Sequence, residues 1–409
     1  MSVAAALAAA GEGQRLFYVG SVGGMEERIV ARESALPFRA LPAAALRGRG
    51  PIQFVRGSLT MLVGTYAAWR LIRELRPAAI LGTGGYVCVP LFLAARALRV
   101  PTMVYLPDVV PGLAVRLLSR IASITAVNVE DAIPHIFGRR PIRKDLRAAV
   151  GLDGFLVGSR RVLVTGYPVR SDLFGQDRSS CRRAFGLSAD LPVVLVYGGS
   201  RGARSVNQAV AALLPTLLAR CQIIHVCGRE GDEAWLREAA DRLSSELRGR
   251  YRLFPYLEAG KGGGRGPECS IEYAEARDVI RPLDLGSATP SMASAFGAAD
   301  LAICRSGAST LAELPAVGLP AVLVPYPYVH QDENADYLVR RGAAVKVGDA
   351  ALLGDGHPQD GPLAREVIRL LENKHECQRM AEQSRALARP DAARHLAAAI
   401  SRLATRSAR

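Results

Sequence analysis

Residues 192–210 read PVVLVYGGSRGARSVNQAV. Pro192 to Tyr197 is a short apolar run of the kind buried on both faces of a parallel sheet, and Arg204 to Leu218 has the length and apolar spacing of a helix. Between them lies Gly198-Gly199-Ser200-Arg201-Gly202-Ala203, so the order is strand, glycine loop, helix. Such a junction lets backbone N–H groups approach an anion, and the helix N-terminus adds about half a positive elementary charge facing it. A diphosphate suits that polarity, with Ser200 able to donate a further hydrogen bond. The loop lacks the Gly-Lys-Ser/Thr ending of a nucleotide-hydrolysing P-loop. A tight turn with no ligand explains the same residues, so the choice depends on what surrounds them.

The rest of the second half repeats the pattern. Cys221 to Cys227, Tyr251 to Phe254, Leu301 to Cys304, Ala321 to Val324 and Ala343 to Val347 read as strands, with helices at Asp232 to Leu247, Ala308 to Val317 and Asp332 to Arg341. After the strand ending at Cys304 comes RSGASTLAE, residues 305–313, in which Glu313 lies one turn into a helix. A carboxylate there can bind ribose hydroxyls, as acidic groups do in dinucleotide sites; alternatively Ser306 is a helix cap and Glu313 a solvated charge. After the next strand comes PYPYVHQDENA, residues 325–335, where Gln331 and Asn334 share a helix face and offer amides suited to sugar hydroxyls. Three polar cups at successive strand ends on one sheet edge form a single crevice, the place where open α/β sheets bind ligands.

The first half has shorter strands, Leu16 to Gly20, Ala78 to Leu81, Pro101 to Leu106 and Ser123 to Val127, which imply a second buried parallel sheet. Val55, Leu59, Leu62, Tyr66, Trp69 and Ile72 recur at helical spacing and read as a core face. The opposite side carries Phe54, Met61 and Ala68 beside Arg56, Arg70, Arg73 and Arg76, a combination able to meet anionic lipid headgroups. At 409 residues the chain exceeds what one core usually serves. The expected division is 1–165, a linker at 166–190, a nucleotide-sugar domain at 191–350 with a glycine-rich insertion at 258–290, and C-terminal helices at 351–409.

Composition narrows the partners. A formal net charge of +14 asks for an anion, but the arginines are spread through both halves with no basic docking helix, which favours a membrane surface or phosphate-bearing substrates over nucleic acid. Seven cysteines without a close CxxC pair indicate neither a disulfide framework nor a zinc site. The longest charge-free stretch, Pro77 to Ala95, is interrupted by Gly82, Gly84, Gly85 and Pro90, which argues against a membrane span. No basic residue precedes the apolar run of MSVAAALAAAGEGQR, so it makes a poor signal peptide, and a cytoplasmic address is expected.

Five segments occur in one order: Gly82 to Tyr86, Val164 to Arg170, Gly198 to Asn207, Ser306 to Glu313 and His330 to Ala335. On them the chain resembles, over nearly its whole length, the bacterial MurG family of peptidoglycan glycosyltransferases, glycosyltransferase family 28. The resemblance implies an α/β fold of two Rossmann-like domains facing across a cleft, the GT-B type. It implies inverting transfer of N-acetylglucosamine from UDP-N-acetylglucosamine to undecaprenyl-diphospho-N-acetylmuramoyl-pentapeptide, by a peripheral protein on the cytoplasmic face of the cell membrane. Arg170 and Ser200 would bind the diphosphate, Leu257 would flank uracil, and Ala308, Ser309, Thr310, Leu311, Ala312 and Glu313 would form the nucleotide-sugar cup. Gln331 would read the sugar, with Asn334 on the same face, while Gly84, Gly85 and Asp108 would belong to the acceptor side.

No metal or cofactor is implied, since Arg170, Ser200 and a helix N-terminus can carry the leaving-group charge, and no residue is assigned as the catalytic base. The implied partners are the two substrates, an anionic membrane surface and other cell-wall enzymes; nucleic acid is not among them. Two departures bear on activity. Tyr105-Leu106-Pro107-Asp108 stands where the family has His-Glu-Gln-Asn, so Asp108 replaces an amide donor by an acceptor. The family's first strand and its Gly-Gly-Thr-Gly-Gly-His loop are missing ahead of the helix read at Met1 to Ala10, so donor binding with weak transfer is expected of the sequence as written. A catalytically weak UDP-sugar binder and a UDP-N-acetylglucosamine 2-epimerase of the same two-domain fold are the competing readings.

Overall fold

Runs of Val, Ile and Leu bounded by glycine and proline become the strands of this protein, because branched side chains fill the two buried faces of a pleated sheet. A computed structural model describes residues 2–10, 15–43, 51–138, 142–144, 153–157, 159–258 and 290–407. The chain divides into two units, Met1–Pro168 with Asp391–Arg409, and Val169–Pro390.

In the first unit β1 (Tyr18–Ser21) and β2 (Phe38–Leu41) pair with each other in parallel as a two-stranded sheet. β3 (Ile80–Gly82), β4 (Thr102–Leu106), β5 (Ile124–Val127), β6 (Ile142–Lys144), β7 (Asp153–Val157) and β8 (Arg160–Val164) form a second sheet in the order β3-β4-β5-β8-β7-β6. The all-parallel sheet expected from sequence holds only from β3 to β8, because β7 runs antiparallel to both β8 and β6. Only Gly158 and Ser159 separate the paired residues Val157 and Arg160, enough for a hairpin but far short of the dozen residues a parallel crossover needs. The helix Ala392–Ser407 lays Leu396, Ala399 and Ile400 on Met103, Tyr105, Ile124 and Ala126 of this unit. Residues 351–409, grouped together in the sequence, therefore fall in both units, since the helices Pro362–Glu372 and Lys374–Ala386 belong to the second.

The helix Pro51–Leu75 corrects the expected assignment of its faces. Leu59 (57% exposed), Leu62 (68%), Val63 (59%) and Tyr66 (62%) point outward, whereas Ala68 is fully buried beside Ile72. The inner side is lined by Gly57, Gly64 and Ala68, one or two turns apart. A side chain at Gly64 would collide with the Pro42 carbonyl, so glycine is what lets this helix lie against the chain just after β2, with Pro90 of the helix Cys88–Ala97 at ordinary contact distance. Size rather than hydrophobic period decided which face is buried. The side chains of Phe54, Val55 and Arg56 lie outside the described residues.

In the second unit six parallel strands, β9 (Val193–Tyr197), β10 (Gln222–Val226), β11 (Tyr251–Phe254), β12 (Leu301–Cys304), β13 (Ala321–Leu323) and β14 (Ala344–Lys346), lie in the order β11-β10-β9-β12-β13-β14. The stretch read as a linker at 166–190 is partly structured within this unit: the helix Arg178–Ala184 packs on Met292–Ala298, with Cys181 Sγ against Gly297. The single helix expected from Asp232 to Leu247 is two, Glu233–Asp241 and Ser245–Arg248, because the Ser244 side chain caps a new N-terminus. The insertion read at 258–290 lies, from 259 to 289, outside the described residues.

One buried polar group in this core has a measurable consequence. His225, fully enclosed in β10, contacts the Tyr251 hydroxyl through Nδ1 at 2.8 Å and Asn207 Oδ1 through Nε2 at 3.0 Å. Burial drives its pKa down from 6.5 to about 3, with Asp232 opposing the shift. The folded form thus excludes a proton that the unfolded chain takes up below about pH 6.5, so this contribution to stability is complete above that pH and lost as pH falls toward 3. At about 1.4 kcal/mol per pH unit, the second unit should be about 2 kcal/mol less stable at pH 5 than at pH 7.5 on account of His225. Urea unfolding followed by Trp235 fluorescence in a Trp69→Phe background should show that loss, and His225→Gln should abolish it.

Candidate functional site

The chain reaches β10 and β11 on one side of β9, then returns to build β12, β13 and β14 on the other. β9 and β12 are therefore neighbours whose outgoing connections diverge, the topological switch point at which doubly wound sheets open a crevice. Their last residues, Tyr197 and Cys304, are paired directly, so the loops beginning at Gly198 and Arg305 start side by side at one sheet edge. The loop after β13 joins them, since Leu323 is paired with Cys304.

The glycine loop is shaped by a backbone contact. Gly202 has φ +92° and Gly228, just beyond β10, has φ +94°; a Cβ on the first would strike the Cys227 carbonyl and one on the second the Gly202 backbone. The Gly202 N–H donates to the Gly199 carbonyl at 3.0 Å and the Arg229 N–H to the Ser200 carbonyl at 3.3 Å. Ser200 is left exposed at the loop tip, at the start of the helix Arg204–Leu218. This presents a hydroxyl and a helix N-terminus together, the donors an anion requires.

Glu313 stands in the neighbouring cup, half-buried, and accepts a hydrogen bond from Ser309 Oγ at 3.0 Å. Burial raises its pKa, while the Ser309 hydrogen bond and the nearby Arg170 charge pull it back down. Arg170 Nε is 3.4 Å from Asp172 Oδ1, and neither Asp172 oxygen has a hydrogen-bond partner among the described residues. Arg170 is thus a half-exposed cation beside the Asp172 carboxylate, near enough to Glu313 for its charge to be felt there, and the long contact with Asp172 leaves its donors available. Gln331 Oε1 accepts from the Tyr326 N–H at 2.9 Å, and its Nε2 lies over Gly307.

Other candidates serve the scaffold. Asn334 is fully buried and its amide donates to the Ser306 carbonyl at 3.0 Å, so its side chain is not offered to a sugar, in contrast to the reading from sequence. Helical spacing put it on one face with Gln331, but that face turns inward after a single turn. Thr310 Oγ1 donates back to the Arg305 carbonyl at 3.0 Å, and Leu311 is buried beside it. Leu257 is buried as well, so what it can present is its backbone. Ala308, Ser309, Ala312 and Glu313 remain as the partly open wall of the cup. Sequence reading missed Asp172, two residues after Arg170, and Arg305, whose guanidinium donates to Asp349 and to Ser205 Oγ and lies 5.2 Å from the Tyr326 ring centre. The Arg-x-Asp spacing was the available signal for the first; nothing local marks the second.

Gly84, Gly85 and Asp108 lie in the other unit. Gly84 (φ +92°) and Gly85 (φ +84°) follow β3, and Asp108 follows its parallel neighbour β4. Asn128 Nδ2 donates to the Pro107 carbonyl at 2.9 Å and so fixes the turn that carries Asp108. The three are thus brought to the C-terminal edge of one sheet.

Comparison with known proteins places the chain among relatives of the same fold. Residues 1–127 match the glycosyltransferase family 28 N-terminal domain and residues 268–396 the family 28 C-terminal domain. A Roseiflexus protein named UDP-N-acetylglucosamine–N-acetylmuramyl-(pentapeptide) pyrophosphoryl-undecaprenol N-acetylglucosamine transferase is 58% identical over 93% of this chain and 82% of its own. The crystal structure of Acinetobacter baumannii MurG superposes with a TM-score of 0.67 at 24% identity, covering 98% of this chain and 94% of that one. A Neisseria meningitidis UDP-GlcNAc 2-epimerase bound to UDP-GlcNAc shares the fold with a TM-score of 0.57 at 11% identity, covering 98% and 95%.

If Glu313 accepts hydrogen bonds from a nucleotide ribose, Glu313→Ala should raise the dissociation constant for UDP by about tenfold or more, since a charged hydrogen bond is worth about 1.5–3 kcal/mol. The ionised carboxylate is the better acceptor, so wild-type affinity should fall as pH drops through its elevated pKa, and Glu313→Gln should flatten that dependence. Calorimetry of the folded proteins against pH decides it, and unchanged affinity in Glu313→Ala removes Glu313 from the site.

Proposed function

Because this chain belongs to glycosyltransferase family 28, we propose that it transfers N-acetylglucosamine from UDP-N-acetylglucosamine to an undecaprenyl-diphospho-N-acetylmuramoyl-pentapeptide, a step of peptidoglycan synthesis. The observation that carries the reading is the pairing of Tyr197 with Cys304, which starts an anion-binding loop and a carboxylate-bearing cup side by side at the switch point. Those are the two recognition elements a nucleoside diphosphate needs, one for its phosphates and one for its ribose.

In the proposed reaction an acceptor hydroxyl attacks the sugar C1 as the bond from C1 to the diphosphate oxygen breaks, with inversion at C1, and the hydroxyl gives up its proton to solvent. Negative charge grows on the departing UDP. Ser200, the loop N–H groups and Arg170 stabilise that charge more in the transition state than in the bound substrate, which is what lowers the barrier. Gln331 orients the sugar from the third cup through its Nε2. An epimerase would use the same fold and donor but would need no lipid, so labelled UDP-N-acetylglucosamine incubated with and without the lipid acceptor separates the two. Transfer of label to lipid supports the proposal, and a new UDP-sugar formed without lipid refutes it.

The acceptor's lipid tail calls for contact with a bilayer. Among the described residues no helix is long and apolar enough to cross one. Leu59, Leu62, Val63 and Tyr66 form an exposed apolar stripe on the helix Pro51–Leu75, and Tyr66 stacks on Trp69, which in turn carries the Arg73 guanidinium 4.6 Å from its ring centre. Exposed Leu93, Leu113 and Leu117 extend the apolar surface over the next two helices, with Arg116 and Arg120 alongside. Apolar side chains rimmed by arginines suit peripheral attachment to an anionic leaflet, here taken as the cytoplasmic one. Leu62→Glu combined with Tyr66→Glu should reduce co-sedimentation with anionic vesicles by more than about tenfold and leave UDP affinity unchanged. Equal binding of the wild type to neutral and anionic vesicles would refute the role of the arginines.

A further inference from the structure

We infer that Asn207 and His225 are positioning residues for the donor diphosphate, holding the Cys227 carbonyl against which the Gly202 turn rests. The inference depends on the proposal that the loop Gly198–Ala203 binds that diphosphate. Asn207 lies in the first turn of the helix that follows the loop, and His225 lies two residues before Cys227 on β10. Neither reaches the crevice, and both are completely buried.

Hydrogen-bond directions can be assigned along the whole chain of contacts. Asn207 Nδ2 donates to the Cys227 carbonyl at 2.9 Å and to Asp232 Oδ2 at 2.8 Å, which commits both amide hydrogens. Its Oδ1 can only accept, so the partner His225 Nε2, 3.0 Å away, carries the ring proton. His225 Nδ1 then accepts from the Tyr251 hydroxyl at 2.8 Å. Asp232 ends the chain, accepting also from Trp235 Nε1 at 3.1 Å. Every donor from Tyr251 to Asn207 thus points one way, toward the carboxylate.

The carbonyl so held is the surface on which the loop lies. A Cβ at Gly202 would strike the Cys227 oxygen, and one at Gly228 would strike the backbone of Gly202 and Arg201, so the loop and the Cys227-Gly228 peptide touch with no side chain between them. Displacing that peptide displaces the loop. A Cys227 oxygen freed from Asn207 would be a buried, unpaired acceptor, and the peptide would rotate to find another donor. The N–H groups aimed at the diphosphate would move with it, while groups that touch only the nucleoside would stay. The charged wall of the cup, Arg170 with Glu313, stems from other elements and does not share this linkage.

The test is calorimetric titration of the 409-residue chain with UDP and, by competition, with uridine, which lacks the phosphates. His225→Leu and Asn207→Ala should each weaken UDP binding by about tenfold and leave uridine within about twofold. His225→Gln should stay within about threefold of wild type, because a glutamine amide can donate to Asn207 Oδ1 and accept from Tyr251. Should His225→Leu fail to fold, Tyr251→Phe removes one hydroxyl without opening a large cavity and should weaken UDP, not uridine, by about threefold. A merely structural role would lower the melting temperature and leave the UDP affinity of the folded protein intact, and that result overturns the inference. So does an equal loss for UDP and uridine. Ser200→Ala keeps the two levels apart: if it leaves UDP affinity unchanged and wild type binds UDP no better than uridine, the loop is not the phosphate site, and both readings fall. If Ser200→Ala weakens UDP but His225→Leu does not, only the positioning role is lost.

Discussion

Two peptides meet without side chains between them where the loop after β9 crosses the end of β10. Gly202 and Gly228 both occupy the positive-φ region, and each leaves no room for a Cβ on the other. That contact fixes how the loop turns into the helix Arg204–Leu218, and so where the helix N-terminus and Ser200 face. A binding loop for an anion has to be rigid before the ligand arrives, because reorientation of its N–H dipoles during the reaction would cost what they gain. The buried chain through Tyr251, His225, Asn207 and Asp232 supplies rigidity from below, and the close glycine contact transmits it.

The same division between contact and support runs through the neighbouring cup. Glu313 and Ser309 open toward the crevice, whereas Thr310, Leu311 and Asn334 turn into the protein. Asn334 joins the third cup to the second by donating to the Ser306 carbonyl, and Ser306 Oγ returns a hydrogen bond to the Gln331 carbonyl at 2.8 Å. A polar residue beside a binding site is therefore as often part of the frame as of the surface, and burial with satisfied hydrogen bonds is what separates the cases. Arg305, bound to Asp349 and Ser205, ties three segments of the frame together in the same way.

The first unit shows the opposite economy, in which apolar side chains are kept outside. Gly64 lets the helix Pro51–Leu75 come close to the Pro42 carbonyl, and Gly57 and Ala68 share its buried side, where backbone contact replaces that of larger side chains. The large residues left outside, Leu59, Leu62, Val63 and Tyr66, are each more than half exposed and share one side of the helix. Under the proposed function a lipid-linked acceptor would give such a surface a use, and the arginines beside it would match the charge of an anionic leaflet.

Much was legible in the sequence because it was local. The strand at Tyr251–Phe254, the helix Arg204–Leu218 and the placement of the glycine loop between strand and helix follow from apolar runs and glycines within a few residues of one another. The order of the motifs along the chain was enough to point to the family, since family 28 carries them in that order. What the sequence alone left undecided involved partners distant along the chain. The outward turn of Leu62, the inward turn of Asn334 and the contact of Gly202 with Cys227 each depend on which segment packs alongside. Periodicity states that a helix has two faces; only the neighbour it packs against, and the room that neighbour leaves for a side chain, determines which face is buried.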